Sequence, residues 1–129
     1  MMIEFQITIK KVKKPKSTNL NESIQFLAES LGLFNKRDRE KSCYRVFLEL
    51  VKNKSGMTAE EITLTTNLTR PTIIHHLNNL LESSLIEKQK SRYKIKEGSL
   101  NSLINSIENE LNVTIEELKR TAKNIDREL

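Results

Sequence analysis

Residues 85–95 read LIEKQKSRYKI, and cations recur there at every second position: Lys88, Lys90, Arg92, Lys94 and, one step on, Lys96. Alternate side chains of an extended chain share a face. The spacing therefore predicts a positive strip on one side, with Tyr93 and Ile95 turned to the other. Lysines guarding an exposed strand edge account for one or two of these charges. The remainder suit a polyanion, whose phosphates they would neutralise. Just upstream, residues 69–82 read TRPTIIHHLNNLLE. Stepped at 100° per residue from Ile73, Leu77, Leu80 and Leu81 fall between about −20° and about +80°, a stripe that must be buried. Pro71, Thr72, His75, Asn78, Asn79 and Glu82 fall between about 140° and about 260°, on the opposite face. That face holds no lysine, unlike an ordinary solvated surface. An asparagine amide can meet the major-groove edge of adenine with two hydrogen bonds, and threonine and histidine can reach base edges or phosphates. Arg70 stands at the helix start, where base and phosphate contacts concentrate. The candidate contacts are thus Thr69, Arg70, Thr72, His75, His76 and Asn79 on the helix, with Lys88, Lys90, Arg92 and Lys94 on the hairpin.

Other chemistries have little material. Three glycines do not make a phosphate-cradling loop, and no nucleophile stands with a base beside it, so no enzyme is expected. Adjacent histidines on a helix point about 100° apart and share one metal ion poorly. No metal and no cofactor are therefore expected. The single cysteine, Cys43, excludes an internal disulfide and lies on an apolar helical face, consistent with a reducing cytoplasm. No apolar run suits a membrane span or a signal peptide. Lys+Arg number 22 against 17 Asp+Glu, a formal charge of +5 that matters only where it clusters. Hydrophobic residues are 36% of the 129, a modest core that self-association would help.

The positioning elements follow from periodicity. Residues 1–9 alternate (Ile3, Phe5, Ile7, Ile9) and predict an N-terminal strand. KKVKKPKSTN then reads either as a solvated linker or as a basic arm for nucleic acid. Apolar residues at steps of three and four predict helices over 22–34 and 36–53. Thr58-Ala-Glu-Glu61 is a capping box opening a short helix to about Thr66. Asn67 marks a tight turn. Thr69 caps, and Pro71 begins, the helix over about 70–82. A hairpin turns at Lys90-Ser91. Leu100, Leu103, Ile104, Ile107 and Leu111 predict another helix, and Thr114-Ile-Glu-Glu117 a capping box for a last one. In that last helix Ile115, Leu118, Ala122, Ile125 and Leu129 form a seam flanked by balanced charge, suited to helix–helix association. The division expected is a strand and basic linker (1–16), a central domain (17–97) and a C-terminal helical region for dimerisation (98–129).

Helix, short helix, tight turn, helix, hairpin is the order of a winged helix-turn-helix. Residues 44–96 resemble ArsR-type winged-helix transcription regulators, especially their archaeal relatives. The resemblance is carried by Thr58, Glu61, Ile62, Leu68-Thr69-Arg70-Pro71-Thr72-Ile73, His75-His76-Leu77, Leu80, Leu85-Ile86 and Arg92-Tyr93. It implies a mainly α fold with a small β-hairpin and double-stranded DNA binding as a homodimer. It also implies helix 70–82 in the major groove and the wing, 86–96, on phosphates. Metal-sensing relatives carry paired cysteines, which this chain lacks. Asn67 and Ser84 stand where the family places glycine, and serine tolerates positive φ less well. Ile74 replaces a small polar residue; it either touches a thymine methyl or, the reading we favour, packs at the helix edge. Two other functions fit the same fold. One is an RNA- or ribosome-associated factor using the lysines on structured RNA. The other is a protein-interaction module.

Overall fold

The computed structural model describes residues 8–16, 19–34 and 40–129. Among them run α1 (Leu20–Ser30), α2 (Ser42–Lys52), α3 (Ala59–Thr66), α4 (Arg70–Glu82), β1 (Ile86–Gln89), β2 (Arg92–Ile95) and α5 (Leu100–Glu128), with a 3-10 turn at Lys96–Gly98. This is a mostly helical fold with one antiparallel hairpin, the architecture of a winged helix-turn-helix. The predicted N-terminal strand falls mainly outside the described residues, and Thr8 to Lys10 form no strand.

Helix α2 is the centre of the packing and touches α1, α3, α4 and β2. Its Val46, Phe47 and Leu50 meet Ile62 of α3 and Ile73, Leu77 and Leu80 of α4, all essentially without solvent contact. Each such side chain contributes on the order of 1.5–3 kcal/mol by leaving water. Leu103 ties the first turn of α5 to the same core. Tyr44 is buried against Phe34, with ring centroids 5.0 Å apart. Its hydroxyl finds no hydrogen-bond partner among the described residues, and burial raises its pKa.

The helix ends explain where sequence periodicity overran. Helix α1 stops at Ser30 rather than continuing to residue 34. Gly32 adopts φ +76°, and the Leu33 and Gly32 amides return to the carbonyls of Ala28 and Glu29. This is a Schellman closure that needs a left-handed residue. The same closure ends α4. The Leu85 amide donates to Leu80 and the Ser84 amide to Leu81, each at 3.0 Å, with Ser84 at φ 59°. Serine thus holds the geometry expected of glycine. Asn67, at φ 58°, does likewise after α3. Arg45 of α2 donates to the Thr66 carbonyl at the end of α3, a cation where the helix dipole is negative.

The two expected C-terminal helices are one, and this corrects the reading of Thr114-Ile-Glu-Glu117 as a capping box that opens a last helix. Between Leu100 and Glu128 there is neither glycine nor proline. Thr114 is not a cap; its Oγ1 donates to the Glu110 carbonyl one turn back, at 3.1 Å. The resulting 29-residue helix is roughly 43 Å long. From Leu111 onward every residue is exposed.

Candidate nucleic-acid interface

Helix α4 presents the predicted faces. Ile73, Leu77 and Leu80 are buried, while Pro71, His75, Asn78, Asn79 and Glu82 are exposed. Ile74 is partly buried against the core, as expected of an edge residue. The Thr69 side chain caps the helix, accepting from the Thr72 amide, and its hydroxyl donates to Thr72 Oγ1 at 2.9 Å. The first turn carries no acidic residue, so no carboxylate of its own offsets the positive end of the helix dipole. Arg70, beside it, is ion-paired with Glu60 of α3.

The two histidines part company. His75 is exposed and takes a hydrogen bond from the Asn79 amide one turn on, at 3.3 Å. The pair forms a small polar platform on the outer face. His76 turns inward, and its Nε2 lies 2.6 Å from Ser42 Oγ at the start of α2. Of the six helix candidates, His75 and Asn79 are therefore brought together, Thr69, Arg70 and Thr72 cluster at the helix start, and His76 is tied to the scaffold. Among the described residues, no group of three His, Cys, Asp or Glu side chains could hold a metal ion.

The wing departs from the expected single strip. Its register pairs Ile86 with Ile95, Glu87 with Lys94, Lys88 with Tyr93 and Gln89 with Arg92. Cross-strand partners share a face. Lys88 therefore lies on the Tyr93 side, where its ammonium sits 5.2 Å from the ring centre, whereas Arg92 and Lys94 lie on the other. A two-residue loop between paired positions exchanges odd and even across the turn, so alternation within one strand does not carry into the next. Lys90 occupies the tip at φ 59°. The outer cations are also partly engaged. Arg92 meets Glu61 at 3.2 Å and donates to the Gly56 carbonyl at 3.0 Å, and Lys94 meets Glu87 at 3.6 Å.

Sequence reasoning missed the carboxylates Glu60, Glu61 and Glu87 as partners of these cations. It also missed Met57, whose backbone exchanges two hydrogen bonds with Tyr93 and ties the wing to the segment before α3. Gly56 permits this approach, since a side chain there would meet the Tyr93 carbonyl at 3.2 Å.

Residues 48–88 match the family described as bacterial regulatory protein, arsR family. The matched stretch runs from within α2 through both helices of the turn into β1, the part of the chain that holds the exposed face of α4. Residues 48–88 thus form an ArsR-type helix-turn-helix segment, and the family they match is one of DNA-binding transcription regulators. No curated protein and no solved structure matches it. None of the described helices is long and apolar enough to cross a membrane.

Proposed function

We propose that this chain is a homodimeric transcription regulator that lays α4 in the major groove of duplex DNA and rests its wing on the flanking phosphates. The observation that carries the reading is the outer face of α4. It is exposed, free of lysine and furnished with the His75–Asn79 pair. In this reading Thr69, Arg70 and Thr72 fix the helix on the backbone. His75 and Asn79 read base edges, and Lys88, Lys90, Arg92 and Lys94 neutralise phosphates. His76 acts from behind by holding α4 on α2.

The free half of α5 supports the second copy. Ile104, Leu111, Leu118 and Ile125 recur every seven residues, as do Ile115, Ala122 and Leu129, and Leu111, Leu118 and Ile125 are about half exposed. Such a seam in an isolated helix is unfavourable in water. Charge favours antiparallel pairing. Glu108, Glu110, Glu116 and Glu117 precede a stretch in which Lys119, Arg120, Lys123 and Arg127 outnumber Asp126 and Glu128. Parallel copies would press Glu108 against its twin on the seam and oppose like charges. Antiparallel copies centred near residue 117 set the acidic stretch beside the net-basic one. They also place the two domain-anchored helix ends about 40 Å apart, close to the roughly 34 Å between half-sites on one duplex face.

Titration of a labelled duplex by fluorescence anisotropy over a range of salt concentrations tests the reading. Binding that weakens steeply with salt is expected. No binding even at low salt removes it, and stronger competition from structured RNA than from duplex replaces it with the RNA reading.

A further inference from the structure

The segment before α1 holds Lys10, Lys11, Lys13, Lys14 and Lys16 within seven residues and no acidic residue. Its burial alternates in sense: all five lysines are exposed, whereas Val12 and Pro15 are half-buried. The segment therefore lies along the protein with its apolar residues inward and its charges outward. It is also anchored. The Lys10 amide donates to the Ser30 carbonyl at 2.8 Å, and Thr8 lies so near Gly32 that a side chain there would meet the Thr8 carbonyl at 3.2 Å.

The anchor lies beside the reading face. Thr8 and Gly32 share a cavity of about 300 Å³ with His75, His76 and Asn79 of α4. A second contrast concerns charge. Arg70, Arg92 and Lys94 each have a carboxylate partner, whereas none of the five lysines is ion-paired among the described residues. A phosphate approaching them displaces only water and counterions. The outer face of α4 itself brings no lysine to the duplex.

We propose that residues 10–16 are a second phosphate-binding element, a basic arm that grips the DNA backbone beside the groove occupied by α4. The assignment rests on the reading of α4 as a DNA reader. The arm adds affinity without sequence preference, because lysines on phosphates carry no base information.

The test uses the full chain with Lys10→Gln, Lys11→Gln, Lys13→Gln, Lys14→Gln and Lys16→Gln combined, and Lys90→Ala/Arg92→Ala as a comparator. Affinity for a 30-base-pair duplex is measured against salt. Each phosphate that is no longer neutralised lowers the slope of log affinity on log salt by about 0.9, so a drop of about 3–4 per arm, or about 7 for a dimer with both arms engaged, is expected. The ranking of duplex sequences should stay unchanged. Because the five changes also lower the net charge, position is read separately. An iron chelate attached at Lys13→Cys, in a Cys43→Ser background, should cut the backbone at the same position relative to α4 in each half-site. An unchanged slope, or no cutting near the site, overturns the arm while binding by the wild type leaves the α4 reading intact. A slope change seen with structured RNA but not with duplex also overturns it. Failure of the wild type to bind duplex at any salt removes the underlying reading instead.

Discussion

Arginine and glutamate compete for one another at the edge of the α4 surface before any phosphate arrives. Glu61 holds Arg92 at 3.2 Å and Glu60 holds Arg70, all on partly exposed side chains, where such pairs add little to stability. Removing the carboxylate therefore barely alters folding but frees a cation for DNA. Glu61→Gln is expected to tighten duplex binding about three- to ten-fold at low salt, with the gain shrinking as salt screens it; an anisotropy titration reads both. The residues of the α4 face should behave differently from those of the wing. His75→Ala or Asn79→Ala is expected to change which sequence is preferred by ~1–3 kcal/mol per specific contact. Lys90→Ala with Arg92→Ala should weaken all sequences evenly and flatten the salt dependence. A competition series over randomised duplexes separates the two patterns, and identical behaviour would refute the division of roles.

At the scale of elements, what could be read beforehand depended on whether local chemistry alone determined the outcome. The phase of α4 was legible because Ile73, Leu77 and Leu80 repeat on one face and Thr69 and Pro71 mark its start. The end of α1 was not, because Leu31, Leu33 and Phe34 continue the apolar pattern past Gly32, where the left-handed turn stops the helix. The wing's two faces were misjudged because they depend on how the strands are paired, which alternation within one strand cannot reveal. Thr114 looked like a cap, yet a capping sequence without a breaking residue does not interrupt a helix already running. Ser84 offers a direct test at this scale. It keeps a left-handed conformation that costs a non-glycine residue about 1–3 kcal/mol, offset in part by the entropy that glycine loses on folding. Ser84→Gly is expected to stabilise the domain by about 0.5–1 kcal/mol, seen as a higher urea midpoint with an unchanged slope.

For the whole molecule, the dimer we propose is set by α5. Leu118→Asp is expected to abolish the dimer in sedimentation equilibrium while leaving the domain's thermal transition nearly unchanged, since residue 118 lies beyond the core. Orientation is separable from association. With Cys43→Ser as background, mixing Ile104→Cys and Leu129→Cys chains should give a disulfide between the two kinds of chain. Self-linking of each chain alone would instead indicate parallel helices.

An unbroken rod also transmits length. Removing one heptad from each copy of an antiparallel pair would draw the two domains together by about 10 Å, about three base pairs of duplex. It would also swing one domain about a third of a turn around the DNA axis relative to the other. The long helix would then act as a calliper, and chains with the same reading surface but a trimmed rod would choose operators by the gap between half-sites rather than by their letters.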